Sequence, residues 1–248
     1  KLSYSSILIG STVILPYFLK LFNYIFDNGL FPEDWTVSIL HPLHKKGDLN
    51  DPDNYRGISL LNICSKLYSF VLNRRISQWV ELNNVVGEEQ AGFRENRCTN
   101  DHIFTLLACV QKQLLRHRKL YVAFIDFKKA FDSVCRDKLW KILFLNGING
   151  KMLNALKSMY DIVKARVRVG SDFSDAFFCP RGLKQGEVCS PVLFSLLINE
   201  LTKEINANGK HGIQLSPDII QILIMLFADD VALLSDSITG LQTQLNIL

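Results

Sequence analysis

The chain has 248 residues, 48% hydrophobic and 21% charged, with a net charge of +4 and a pI of about 8.7. That composition excludes collagen-like, low-complexity and acidic-tailed chains, and it allows one large domain or two small interlocked ones. The mild basicity permits a nucleic-acid partner without establishing one.

In chain order, residues 3–26 are rich in Ile, Leu, Phe and Tyr. Ser11, Thr12, Pro16 and Lys20 interrupt the apolar length that a membrane span needs, so buried helices are expected and no membrane partner. A helix is predicted over 17–28, ended by Gly29, then an aromatic turn at Phe31, Pro32 and Trp35. Val37–Leu43 and Arg56–Leu60 read as a hairpin around the polar loop 45–55. Ser65 is expected to cap a helix with Leu67, Phe70, Val71 and Ile76 on its apolar face. After a polar loop at 87–101, a helix to about His117 would bury Ile103, Leu106, Leu107, Val110 and Leu114. Leu120–Ile125 is a β-prone run ending at Asp126, followed by helices near 137–146 and 151–163. Ala165–Val169 and Asp175–Phe178 read as a second hairpin, and Gly182 and Gly186 as a tight loop. Ser190 and Pro191 start a helix carrying Leu193, Phe194, Leu197 and Leu201. Ile219–Phe227 and Val231–Leu234 read as strands joined across Asp229 and Asp230, with a last helix from near Thr239. The irregular mix of strands and helices implies an α+β fold with an antiparallel sheet.

Six cysteines show neither a C-x-x-C pair nor zinc spacing, which reads as reduced thiols of an intracellular protein. The carboxylates carry more. Asp229 and Asp230 interrupt an apolar run, where adjacent charges are costly unless compensated. A divalent cation would compensate them; so would a solvated acidic turn. Asp126, at the end of its own strand, could meet them at a sheet edge and complete an oxygen-rich site suited to Mg²⁺. Asp132 reads as a cap and not as a ligand.

The run Asp126-Phe-Lys-Lys-Ala-Phe-Asp132 resembles the first catalytic motif of reverse transcriptases, and Phe227-Ala-Asp-Asp230 resembles their paired-aspartate motif. Arg181-Gly-Leu-Lys-Gln-Gly186, with Ser190, Pro191 and Asn199, resembles the motif that holds template and incoming nucleotide. Asn54-Tyr-Arg-Gly-Ile-Ser-Leu60, Gln90-Ala-Gly-Phe-Arg94, Phe31-Pro-x-x-Trp35 and Lys45-Lys-Gly47 resemble the non-LTR (LINE-like) retrotransposon subgroup. Gly57 stands where many relatives have Pro, which removes no functional group.

The resemblance implies a right-hand polymerase fold of fingers (1–97 and 133–178) and palm (98–132 and 179–248), without a thumb. It implies an RNA-directed DNA polymerase that adds dNTPs to a DNA primer on an RNA template. Asp126, Asp229 and Asp230 would hold two Mg²⁺ ions, with Mn²⁺ as a substitute and the Phe127 carbonyl as a further ligand. Phe131 would be a steric gate against ribonucleotides; outside this motif a core aromatic is the commoner reading. Lys45 and Arg56 would approach the triphosphate, although Lys46 competes for the first role and both Lys45 and Arg56 could belong to a solvated basic loop. Gln185 would contact the nucleotide near its 3′-hydroxyl, and Gly186 would allow close approach. Arg94 would touch template or nucleotide, or make a surface salt bridge. The sequence starts and stops abruptly, so thumb and endonuclease domains of a longer polyprotein are expected elsewhere. A ribonucleoprotein of nucleus and cytoplasm is the expected setting. The alternatives are an inactive nucleic-acid-binding remnant and a group II intron-type maturase. An RNA-copying RNA polymerase fits less well, because Ala228 and Phe131 depart from its pattern.

Overall fold

Helix α1 (Ser11–Asn28) carries Pro16 in its interior and ends at Gly29, whose φ of 64° and N–H bond to the Ile25 carbonyl close it in a left-handed cap. It thus starts six residues before the sequence-based expectation at residue 17. The structure, a computed structural model, describes Ser5, Ile7 and residues 10–216 and 221–248. Ile219 and Ile220 of the expected strand lie outside those residues. Among the described residues no helix is long and apolar enough to cross a membrane.

The chain forms two compact units, each built from two segments. The first comprises Lys1–Ile76 and Phe131–Ser190, the second Ser77–Ala130 and Pro191–Leu248. These bounds differ from the expected fingers and palm for a physical reason. Gln90 pairs with Leu226 as a parallel bridge, through Ala91 N–H to Leu226 O at 2.9 Å and Leu226 N–H to Glu89 O at 2.7 Å, which attaches 77–97 to the second unit. Likewise the Cys179, Gly182 and Leu183 amides donate to Val163, Val134 and Phe131 carbonyls at 2.8–2.9 Å, which attaches 179–190 to the first.

In the first unit, β1 (Val37–His44) and β2 (Tyr55–Leu60) form the expected antiparallel hairpin, with Leu43 opposite Arg56. β1 also pairs in parallel with β4 (Lys164–Val169), which carries β5 (Asp172–Phe173) and β6 (Phe177–Phe178). One sheet face presents the buried Ser38, Ser59 and Ala165. Helices α5 (Arg136–Leu145) and α6 (Gly150–Ser158) bury Leu139, Leu143, Leu153 and Leu156. Helix α2 (Ile63–Leu82), which continues into the second unit, corrects two expectations. Asn62, not Ser65, accepts from the Cys64 amide at 2.9 Å. Ile76 is buried as expected, but it is joined there by Tyr68 and Leu72, whereas Phe70 is 59% exposed.

The second unit centres on the antiparallel sheet β3 (Tyr121–Asp126), β8 (Asp230–Ser235) and β7 (Ile224–Phe227), in that order. Ile205, Leu223, Ile224, Leu226, Val231 and Leu233 form a core on one face, under α7 (Ser190–Asn208) and α8 (Ile238–Ile247). Cys109 of α3 (Thr99–Leu115) joins Met225, Ala232 and Leu234 on the other. Burying each Leu or Ile stabilises by about 1.5–3 kcal/mol, so both faces resist slippage. α3 covers that second face only in part, and Phe124 there is 76% exposed. Much of the expected α3 core face is open too, since Ile103, Leu107 and Leu114 are more than half exposed.

Candidate active site

The β3–β8 register sets Asp126 directly opposite Asp230. Phe227 pairs with Asp230 across the β7–β8 hairpin, so Ala228 and Asp229 form its two-residue turn. All three aspartates therefore sit at one end of one sheet. Asp126 and Asp230 are exposed and Asp229 is half-buried. Beside them opens a pocket of about 320 Å³, walled by Phe124, Met225, Phe227, Ile103 and Leu106, with His102 bonded to the Leu226 carbonyl at 2.7 Å.

Ala228 takes a φ of 61°, a left-handed conformation that costs a non-glycine residue about 1–2 kcal/mol. Gln90 compensates that cost. Its side chain is 1% exposed and embraces the Ala228 peptide groups, with Oε1 accepting the Ala228 amide at 3.0 Å and Nε2 donating to the Ala228 carbonyl at 3.2 Å. The same Oε1 accepts the Gly92 amide at 2.7 Å. A Cβ at Gly92 would collide with the Ala228 nitrogen, so this position must be glycine. The 90–94 segment thus braces the acidic hairpin, a role that only long-range pairing reveals.

Do these residues suit a divalent cation? Their chemistry does: three hard oxygen donors, two of them on facing strands. Their side chains as placed do not converge, and among the described residues no three His, Cys, Asp or Glu form a group that could hold an ion. Like charges opposite one another repel, so convergence needs a counter-charge.

Arg94 makes the salt bridge that stood as one of its two expected roles. Its side chain, 7% exposed, makes a two-pronged bond to Glu81 at 2.8 and 2.9 Å and donates to the Gly87 and Gln90 carbonyls at 2.8 and 3.2 Å. The hydrogen-bonded Glu81 carboxylate raises the Arg94 pKa, and Arg94 lowers that of Glu81. Through these bonds Arg94 locks the bracing loop. Asn199 anchors the same loop, through the Val85 carbonyl at 2.8 Å and the Gly87 amide at 3.3 Å.

The remaining expected residues lie in the first unit. Lys45 and Arg56 are exposed near the loop end of the β1–β2 hairpin, where the Lys45 amide donates to Asn54 O at 2.9 Å. The loop at 182–186 rests on β2, with Ser59 N–H donating to Gln185 O at 2.7 Å. Gly186, at φ 108°, has room for no Cβ, since one would come 2.9 Å from Ser59 O. Phe131, half-buried in the short helix α4 (Ala130–Ser133), receives the Leu183 amide on its carbonyl at 2.8 Å.

Beneath that loop lies a network the sequence did not reveal. Buried Arg136 donates to the Gly182, Arg181 and Tyr160 carbonyls at 2.9, 3.1 and 3.2 Å, and its guanidinium lies 5.2 Å from the Tyr160 ring centre. Lys184, 8% exposed, is held down to about pH 8 in pKa, chiefly by burial against the partial support of Glu187. Ser190 donates to Lys184 O at 2.8 Å, which ties the loop to the start of α7.

The sequence matches the family Reverse transcriptase (RNA-dependent DNA polymerase) over residues 43–248. It is 28% identical over 242 residues to a probable RNA-directed DNA polymerase from transposon BS of Drosophila melanogaster, covering 94% of this chain and 26% of that protein. It is 28% identical to a retrovirus-related Pol polyprotein from type-1 retrotransposable element R2 of Popillia japonica, covering 88% and 30%. The chain thus spans about a quarter to a third of the length of these relatives. Among solved structures, apo telomerase from Candida tropicalis, truncated from its C-terminal domain, superposes with a TM-score of 0.61. The identity is 14%, and 94% of this chain and 51% of that one are covered, a likeness of fold.

Proposed function

The chain belongs to the reverse transcriptase family, and on that premise we propose that it is the fingers-and-palm core of an RNA-directed DNA polymerase from a non-LTR retrotransposon. The observation that carries this reading is the register that puts Asp126 opposite Asp230, with Asp229 in the adjoining turn. The second unit corresponds to the palm and the first to the fingers.

Asp126, Asp229 and Asp230 would hold two Mg²⁺ ions, for which Mn²⁺ could substitute. Bound there, the ions supply Lewis-acid polarisation of phosphate oxygens and activation of the primer 3′-hydroxyl. The chain's own residues position and select. Arg56 suits multidentate phosphate contact, and Lys45 supplies a point charge. Gln185 and Gly186, fixed against Ser59, would meet the nucleotide sugar. The partners of this reading are an RNA template, a DNA primer and dNTPs, within a ribonucleoprotein of nucleus and cytoplasm.

The test is primer extension on poly(rA)/oligo(dT) with Mg²⁺ and dTTP, by this chain and by a C-terminally longer one, each against Asp229→Ala. Extension that Asp229→Ala abolishes supports the reading. Tight hybrid binding without extension by the longer chain would replace it with an inactive remnant. Selectivity has its own test. Phe131→Val should lower the preference for dTTP over UTP tenfold or more, as removal of a few pocket atoms does elsewhere. Unchanged selectivity would return Phe131 to a packing role.

A further inference from the structure

Arg136 stands where a cation is costly. It is the first residue of α5, at the positive end of that helix, and it is 9% exposed. It makes no ion pair among the described residues, and burial pulls its pKa below the ordinary arginine value. An apolar side chain would fill the place without that penalty. It would not supply donors for three carbonyls, those of Gly182 and Arg181 at 2.9 and 3.1 Å and that of Tyr160 at 3.2 Å.

Two of those carbonyls belong to the loop that carries Gln185 and Gly186. Its backbone is stitched to the segment that carries Phe131, through Leu183 N–H to Phe131 O and Gly182 N–H to Val134 O. Gly182, at φ 86°, approaches so closely that a Cβ would come 2.7 Å from Asp132 O. On the sheet side the loop has looser backing. A cavity of about 220 Å³ adjoins it there, lined by Ser38 and Ser59 with Arg136, Gly182 and Gln185. Close packing on that side does not fix the loop, so directed hydrogen bonds do. Arg136 donates them from a helix whose Leu139 and Leu143 are fully buried.

We propose that Arg136 is a positioning residue for nucleotide selection: it holds the 181–186 loop at one distance from the segment that carries Phe131. It acts through Phe131 and Gln185 and not by touching the nucleotide. The proposal rests on the reading of those two residues as nucleotide contacts in a polymerase.

Steady-state incorporation and hydrogen exchange test it. Arg136→Gln should raise the KM for dTTP and lower the preference for dTTP over UTP, each about tenfold, because a displaced contact loses part of its discrimination. Adding Phe131→Val should cost little further selectivity, since a residue that acts through the gate then has nothing left to align. A purely structural role would give losses that multiply, or none in selectivity. Arg136→Lys keeps the charge but not the planar fork, and should fall between the parent and Arg136→Gln. Where Arg136→Gln does not fold, Arg136→Lys carries the same comparison. The amides of 181–186 should exchange about tenfold faster in Arg136→Gln, and those of β7 and β8 at the parent rate. Parent selectivity in both Arg136 variants, multiplying losses, or altered selectivity with unchanged exchange would overturn the proposal. A parent that extends no primer at either length overturns the polymerase reading with it. A parent that does, with Asp229→Ala inactive and Arg136→Gln fully selective, overturns this proposal alone.

Discussion

Asp126→Asn is expected to lower nucleotide incorporation ~10²–10³-fold, the range set by loss of one preorganised electrostatic group, while slightly raising the thermal stability of the ion-free protein. The opposite signs have one cause. Asp126 and Asp230 face each other across an antiparallel pair. Like charges there destabilise by a few tenths of a kcal/mol, screened because both are exposed. Asparagine removes the repulsion and, with it, negative potential that would attract Mg²⁺ in the proposed reading. Calorimetry with and without Mg²⁺ should show a melting midpoint that rises with the ion in the parent and stays flat in the variant. Undiminished incorporation by Asp126→Asn would remove this residue from the catalytic set.

Gln90→Leu should be nearly as damaging without touching a carboxylate. It strips hydrogen bonds from both peptide groups of buried Ala228. Each unsatisfied group costs about 1–3 kcal/mol, so a loss of about 2–5 kcal/mol in stability is expected. The released turn displaces Asp229, and a shift of about 1 Å in a reacting group can cost ~10²-fold in rate. Gln90→Glu keeps the acceptor for Ala228 and Gly92 but loses the donor, so it should fall between. Chemical denaturation and single-turnover incorporation measure the two effects. A folded Gln90→Leu that incorporates at the parent rate would show that the brace is dispensable.

Much of this was legible in local chemistry. The β1–β2 hairpin, β3 ending at Asp126 and the acidic turn follow from alternation bounded by turn residues, which are properties of neighbours. The core face of α2 was read correctly at Ile76 and misread at Phe70 and Val71, because apolar residues surround that helix and its sequence gives no clear stripe; burial of Tyr68 and Leu72 was decided by tertiary packing. Pro16 suggested a break where the helix continues. Arg94 and Gln90 belong to a motif in which only Arg94 was given a role, as a template or nucleotide contact or a salt bridge. Their role became visible only when the loop was seen paired to β7, a contact between residues far apart in sequence. The parallel β1–β4 joint and the Arg136 network were hidden for the same reason.

The pairing of β3 with β8 also sets a timetable for biosynthesis. Asp126 leaves the ribosome more than a hundred residues before Asp230, its partner in the sheet. Closing so long a loop is entropically costly, and contacts of high sequence separation form slowly. Until β8 arrives, β3 has an unpaired edge carrying Tyr121, Val122 and Phe124, the kind of strand that captures other chains. Translation that halts before residue 230 therefore releases a sticky intermediate with no paired acidic site. Nascent chains should be most dependent on chaperones in that interval and lose the dependence once β7 and β8 have emerged.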